Sequence, residues 1–496
     1  MDTDTGGCHK SPYYDPDWDA SDIVFGAMSD SSIHALTVAL RSRAEAMAPG
    51  ARFPSTRDIA ADFHVSPVTV SRALATLSAE GVVGTRPGSG TFVTDRIPVS
   101  GAIRLDTTWQ TVALGDRAID SSALQTYLDV NPRGALSLAG GYLHHSLMPI
   151  RALSAAASRA VRRSETWEAP DPRGLAGLRA WFASHHGAGF SASDVIVCNG
   201  GQSAISATFR ALVPPGATLI VEAPTYPGAL AIARAAGIGI VPVPMDADGI
   251  LPDLLGEAFE ATHSRAVYLQ PTHHNPTGIV MSATRRRQVL SAAGRAGAFV
   301  IEDDWARWLG YDGTNPPPLI SMDGQGRVVY ISSLTKPAAP SLRVGALVAR
   351  GPVADRLRAI RVVDDLFVNR LTQETALELV GSPGWSRHIV EVGRALRERR
   401  RVVVEALEEF APDLVVPRLP RGGMHMWVSL PEGADELMVA EAGRRHGVLV
   451  GAGRSFFATE PPSSHLRLSF GGAADHDELR ESVRRLGSAL QSIIVS

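Results

Sequence analysis

From about residue 136 onward, short apolar runs alternate with stretches rich in Ala, Leu and Arg; the runs include "DVIVCN", "ATLIVEA", "RAVYLQP", "AFVIEDD", "RVVYISS" and "VGALVA". A run that is apolar at consecutive positions suits a strand buried on both faces, and helical connections between such strands supply the cover. Residues 136–496 are therefore expected to form a mostly parallel α/β sheet with helices on both sides. The sequence shows no internal repeat.

The N-terminal part follows other rules. Residues 1–30 hold seven Asp and one Lys with no helical period, and are expected to be an acidic disordered tail. "SSIHALTVALRSRAEAM" then places Ile33, Leu36, Leu40 and Ala44 on one helical face behind a serine cap. Ser55 caps a short helix ending near Phe63. Ser66 caps another with Pro67 at its first position, where a missing N–H costs nothing, and Gly81 closes it. The "HV" between them makes a tight turn, and "VVGTRPGSGTFV" reads as a hairpin turning at 87–90. Residues 31–96 thus predict an α+β winged helix-turn-helix, whose second motif helix can enter a major groove. Arg57, Thr69, Ser71 and Arg72 fall on or near the recognition surface, and Arg86 falls on the wing. Residues 97–135 carry no sustained pattern beyond a short helix near "SSALQTYL" and are expected to be a linker.

Charge restricts how such a module can act. The formal net charge is -3, so no whole-molecule attraction to nucleic acid or membrane is expected, and a polyanion must be met locally. Residues 31–96 hold seven Arg against five acids, a net of +2 and a weak signal. Cys8 and Cys198 cannot build a disulfide framework. No apolar run approaches the roughly 20 residues of a membrane span, and the N-terminus does not read as a charged-then-apolar leader, so export is not expected. A cytoplasmic protein without a membrane partner is expected.

Lys10 and Lys336 are the only lysines beside 46 arginines (48 Lys+Arg minus 2). Arginine serves wherever positive charge suffices, whereas a desolvated lysine amine can lose its proton and condense with an aldehyde. Lys336 lies in "SSLTKPAAPSLRVG", with Ser333, Thr335 and Arg343 close by. "CNGGQSA" ends a strand and opens a helix, so the N–H groups of Gly201 and Gln202 can hold an anion. "EAPTYPG" puts Tyr226 in a loop, "QPTHHNPTG" puts Asn275 in a turn, and "VIEDDW" puts Asp303 at the end of a buried strand. His274 of the His273–His274 pair is expected to pack against its loop. No metal site is expected.

These pieces suit pyridoxal 5'-phosphate. Lys336 supplies the amine for its aldehyde. Arg343, Ser333, Thr335, Gly201 and Gln202 suit the phosphate, and Asn275 suits the phenolic oxygen. Tyr226 suits the ring face, and Asp303 can keep the pyridine nitrogen protonated so that the ring withdraws electrons.

Two resemblances follow. "ARFPSTRDIAADFHVSPVTVSRALATLSAEGVVGTRPGSGTFV" resembles the GntR-type DNA-binding domain in PS-x-R, VS-x-x-TV, L-x-x-EG and GSGTFV. That implies DNA contacts from Arg57, Thr69 and Arg72, with Gly88 of the wing close to the DNA backbone; Ser66 and Arg86 complete the expected set. Pro67 stands where the family often has arginine, removing one phosphate or base contact.

Residues of about 136–490 resemble fold-type I, class I/II aminotransferases in G-x-Q, the Pro-x-Tyr loop, NPTG, the buried Asp and S-x-[ST]-K-x-x-x-P-x-L-R-x-G. The resemblance implies large and small lobes, and gives Arg467 of "HLRLSF" to a substrate or effector α-carboxylate. Two departures stand out: Trp305 replaces a tyrosine that bonds the phenolic oxygen, and "ETWEAPDPRG" has Trp167 near where relatives reach the neighbouring subunit's phosphate. Weak transamination at most is expected.

The whole chain resembles MocR-type transcription regulators. The resemblance implies a domain-swapped homodimer that binds operator DNA and senses an amino compound, or pyridoxal phosphate itself, through an internal aldimine at Lys336. A working aminotransferase with a regulatory appendage is the second reading. A winged-helix repressor with a merely structural cofactor site is the third.

Overall fold

The computed structural model describes residues 30–86, 89–94, 106–114, 134–185 and 189–494. The chain divides into two compact units between Asp116 and Arg117. Most of the expected acidic tail, Gly88 and the "SSALQTYL" helix lie outside the described residues.

In the first unit, helices α1 (Asp30–Glu45), α2 (Thr56–Asp62) and α3 (Pro67–Ala79) precede a hairpin of β1 (Val83–Arg86) and β2 (Gly90–Val93). Leu36, Leu40, Ile59, Val70, Ala73 and Leu77 are fully buried and form the core with Phe53 and Val83. Local signals set the boundaries. Ser55 Oγ accepts from Asp58 N while the Asp58 carboxylate accepts from Ser55 N, a capping box. Ser66 Oγ accepts from Thr69 N with Pro67 at N1, and Gly81 follows the α3 C-cap with φ +69. Strands β1 and β2 pair antiparallel from Val83↔Val93 to Arg86↔Gly90. A further helix, α4 (Thr108–Leu114), interrupts the expected linker; none of its residues is buried, so no packing pattern marks it in the sequence.

The second unit is built on an eight-stranded sheet. Strand β3 (Leu136–Ser137) lies apart from it, paired with β13 (Val448–Leu449). The sheet order is β4 (Val195–Cys198), β11 (Gly345–Val348), β10 (Val328–Ser333), β9 (Phe299–Asp303), β8 (Ala266–Leu269), β5 (Thr218–Ala223), β6 (Gly239–Asp246) and β7 (Gly249–Ile250). Five neighbouring strands, from β10 to β6, run parallel, but β11 is antiparallel to both its neighbours and β7 is antiparallel to β6. The sheet is mixed but mostly parallel, as expected, with β11 and β7 as the reversed strands. Apolar clusters cover both of its faces.

A smaller lobe carries β12 (His425–Ser429), β15 (His465–Ser469) and β14 (Gly451–Ala452) in that order, covered by the helices Pro383–Phe410, Glu436–Arg445 and His476–Ile494. Among the described residues, no helix is long and apolar enough to cross a membrane.

Candidate cofactor and effector site

Strands β4, β5, β8, β9 and β10 share one direction, so their C-terminal ends open on one edge of the sheet, where ligands of open α/β sheets bind. The expected residues follow those ends: Gly201 and Gln202 after β4, Tyr226 after β5, Asn275 after β8, Asp303 at the end of β9, and Ser333, Thr335 and Lys336 at and after β10. The reversed strand β11 starts at that same edge, with Gly345 opposite Ser333, and so brings Arg343 there. All of these residues, with Arg467 of β15, line one cavity of about 370 Å³. That size suits a small organic ligand.

Lys336 reaches across the cavity. Its Nζ donates to Gly141 O at 2.6 Å and lies 4.0 Å from the Tyr142 ring centroid. Burial lowers its pKa to about 7, aided by Arg467 and Arg343 and opposed by Asp303. A large fraction of the amine is therefore neutral near pH 7. Arg467 is almost fully buried; it donates to Asn275 Oδ1 at 3.3 Å, to Gly140 O at 3.4 Å and to Ala139 O.

Asp303 belongs to three consecutive buried acids that strand alternation separates. Glu302 pairs with Arg286 at 3.4 Å and accepts from the N–H groups of Leu319 and Ile320. Asp304 accepts from Tyr330 Oη at 2.8 Å and pairs with Arg307 at 3.2 Å. Asp303, on the other face of the strand, meets the cavity. Burial raises its pKa to about 6, while donors Tyr268 Oη at 2.6 Å and Gln270 Nε2 at 3.0 Å lower it.

The end of the cavity at Gly200 and Arg343 is compact. Gly200 has φ +78 and begins the helix Gly200–Leu212. A Cβ there would stand 3.0 Å from Arg343 Nη2 and 3.1 Å from Thr335 Oγ1. Arg343, itself at φ +49, donates to Asn199 O at 2.9 Å. Ser333 Oγ accepts from Thr335 N at 3.1 Å, while Thr335 Oγ1 is buried with no hydrogen-bond partner among the described residues. Tyr226 Oη donates to Gln202 Oε1 at 3.0 Å.

Trp305 lines the cavity with its Nε1 buried and unpartnered among the described residues, whereas Trp167 is 68% exposed and donates to Val161 O. His274 is outside the lining, buried 3.3 Å from Glu222 and 2.9 Å from Thr277 Oγ1. His273 fills a slot against Gly310 and Gly422, and burial lowers its pKa to about 4.

Sequence reasoning missed Tyr268, Gln270, Tyr142 and His425. A readable signal existed for Gln270, a polar residue ending the apolar run "AVYL", and for His425 between two methionines. Tyr142 offered none.

In the first unit, Arg57, Thr69 and Arg72 lie on α2 and α3, Ser66 caps α3, and Arg86 ends β1 with its guanidinium 4.9 Å from the Phe92 ring. Arg57, Ser66, Arg72 and Arg86 are exposed. Arg41 and Arg43 are instead tied to Glu80 and Asp62.

Residues 138–486 match the family Aminotransferase class I and II, and residues 41–93 match the bacterial regulatory proteins of the gntR family. The chain is 28% identical over 451 residues to the HTH-type transcriptional regulator YdfD of Bacillus subtilis, covering 90% of this chain and 92% of that one. It is 31% identical over 386 residues to the 2-aminoadipate transaminase of Thermus thermophilus, covering 77% and 96%. The crystal structure of LysN, the α-aminoadipate aminotransferase of Thermus thermophilus complexed with N-(5'-phosphopyridoxyl)-L-leucine, superposes with a TM-score of 0.73 at 29% identity, over 78% of this chain and 99% of that one. Pyridoxal phosphate is the cofactor of this fold family. The chain belongs to the class I and II aminotransferase family and carries a GntR-type DNA-binding domain ahead of that fold, the architecture of MocR-type regulators.

Proposed function

We propose that the protein is a pyridoxal-phosphate-dependent transcriptional regulator that senses an amino compound, or pyridoxal phosphate itself, through an internal aldimine at Lys336. The observation that carries this reading is the Lys336 amine, lowered to about pKa 7 by burial and placed in one cavity with Asp303, Arg343 and Arg467. The residues fit the cofactor on independent grounds. Thr335 Oγ1 is a buried hydroxyl without a partner among the described residues, and Gly200 leaves a space that a Cβ would fill beside Arg343. When bound, the cofactor supplies an electrophilic carbon and an electron-withdrawing ring.

Each residue has a task on this reading. Arg343, Ser333, Thr335 and the N–H groups of Gly201 and Gln202 would hold the phosphate, Asn275 the phenolic oxygen, Tyr226 the ring and Asp303 the ring nitrogen. Arg467 takes the effector's carboxylate. Arg57, Ser66, Thr69, Arg72, Arg86 and Gly88 meet operator DNA, and a two-fold, domain-swapped dimer in the cytoplasm presents two reading heads. An effector that displaces Lys336 shifts DNA binding by its differential affinity for the two states.

The test is an absorbance titration of the purified protein with amino acids, amines and cofactor, beside DNA-binding measurements on wild type and Lys336→Ala. An unchanged effector response in Lys336→Ala overturns the sensing role. The second reading, a working aminotransferase, is favoured by the joint presence of Lys336, Asp303 and Arg467. Steady keto-acid production without sequence-specific DNA binding would establish it instead.

A further inference from the structure

His425 is among the side chains of the cavity wall that the tasks above leave without a use. Trp427 stands opposite Arg467 in the β12–β15 ladder, and His425 lies two residues before Trp427. The two-residue period of a strand therefore sends His425 and Arg467 from the same face of the smaller sheet. The imidazole is 5% exposed and stacks on Trp305, with 5.5 Å between ring centroids and 29° between planes. Its Nδ1 is buried and has no hydrogen-bond partner among the described residues. Such an atom calls for a ligand or a water.

The surroundings decide which kind of ligand group suits it. Burial, then Arg467 and Lys336, hold the imidazole well below the ordinary histidine range, so it is neutral and offers one N–H and one lone pair. The charged residues of the lining are Asp303, Lys336, Arg343 and Arg467. Asp303, the one carboxylate among them, already accepts from Tyr268 and Gln270. With Asp303 given to the ring nitrogen on the reading above, no second carboxylate among the described residues lines the cavity to receive a cationic side chain, and the cations favour an oxygen acceptor.

We propose that His425 is a specificity-determining residue that donates a hydrogen bond to the side-chain oxygen of the effector, which makes the effector class α-amino acids ending in a carboxylate or carboxamide. This inference rests on the sensing function proposed above. Arg467, with its two-pronged donor set, takes the α-carboxylate, and the Trp305–His425 stack forms the wall along which the side chain lies.

The cofactor-loaded protein titrated with L-glutamate, L-glutamine, L-norleucine and L-lysine, followed by cofactor absorbance and by DNA binding, tests it. Glutamate or glutamine is expected to half-saturate at a concentration about tenfold lower than norleucine, the value of one hydrogen bond between buried partners, with lysine weakest. His425→Phe should erase that ratio, and His425→Asn, which keeps a donor near the place of Nδ1, should restore part of it. Norleucine or lysine matching both oxygen-bearing amino acids in the wild type, or a ratio that survives His425→Phe, overturns the role of His425 and leaves the sensing function standing. If none of the four changes absorbance or DNA binding, amino-acid sensing falls, and this inference with it. Should His425→Phe fail to load cofactor, the wild-type ratio and His425→Asn decide.

Discussion

Tyr268 on β8 donates its phenolic hydrogen to Asp303 Oδ2 on β9 at 2.6 Å, across a parallel pair in which Tyr268 itself stands opposite Ile301. Both side chains are buried, and only Gln270 supplies a second hydrogen bond to that oxygen among the described residues. Tyr268→Phe is therefore expected to raise the Asp303 pKa further above 6 and to cost about 1.5–3 kcal/mol of stability, as for a lost bond to a charged group. Urea unfolding of the cofactor-free protein measures the stability change. The pH dependence of cofactor absorbance reports the carboxyl.

The Lys336 amine gives a pH dependence with a definite sign. Its pKa is lowered from 10.5 to about 7, so the reactive neutral form grows as pH rises through 7 and is nearly complete well below the ordinary lysine value. The rate at which cofactor-free protein takes up pyridoxal phosphate should climb with a midpoint near pH 7, read by absorbance after rapid mixing. A midpoint near the ordinary lysine value would contradict the burial of the amine. The same shift acts on stability: the folded chain binds fewer protons than the unfolded chain between pH 7 and 10.5, so this group's contribution grows as pH rises across that window.

Gly200→Ala tests the proposed phosphate end. Its φ of +78 disfavours any side chain, and the added Cβ would press on Arg343 Nη2 and Thr335 Oγ1 at 3.0 and 3.1 Å. Strain of about 1–2 kcal/mol together with a displaced Arg343 should weaken cofactor binding about tenfold or more. Equilibrium dialysis with pyridoxal phosphate measures that loss.

Arg72→Ala tests the proposed DNA-binding face. Arg72 is exposed on α3 with no ion pair among the described residues, whereas Arg41 is held by Glu80 at 2.7 Å. Arg72→Ala should weaken operator binding; if the contact is a phosphate, it lowers the slope of log K against log salt by about one. Arg41→Ala should change binding far less. Fluorescence anisotropy on operator DNA at several salt concentrations separates the two.

Much of the fold was legible because its signals are local. Ser55, Ser66 and Gly81 mark helix ends through bonds spanning three residues and Pro67 through its missing N–H, and all act at the expected places. The six quoted apolar runs are all strands of the large sheet. Strand β6 went unread because Pro242 and Pro244 interrupt it; prolines are tolerated there because its other neighbour, β7, pairs only at Met245 and Asp246. The direction of β11 was equally hidden, since an apolar run reads the same from either end.

The sequence alone determined the kinds of groups present and their order: one lysine among arginines in the second unit, a carboxylate closing a buried run, and a glycine-rich helix start. Tertiary structure decided which of the three neighbouring acids faces the cavity, which donors hold it, and that His425 shares a wall with Trp305. The reason is physical. Capping and periodicity act over one helical turn or two strand positions, but the Tyr268–Asp303 bond spans 35 residues and the Lys336–Gly141 bond spans 195. Contacts at such separations exist only after the sheet has assembled.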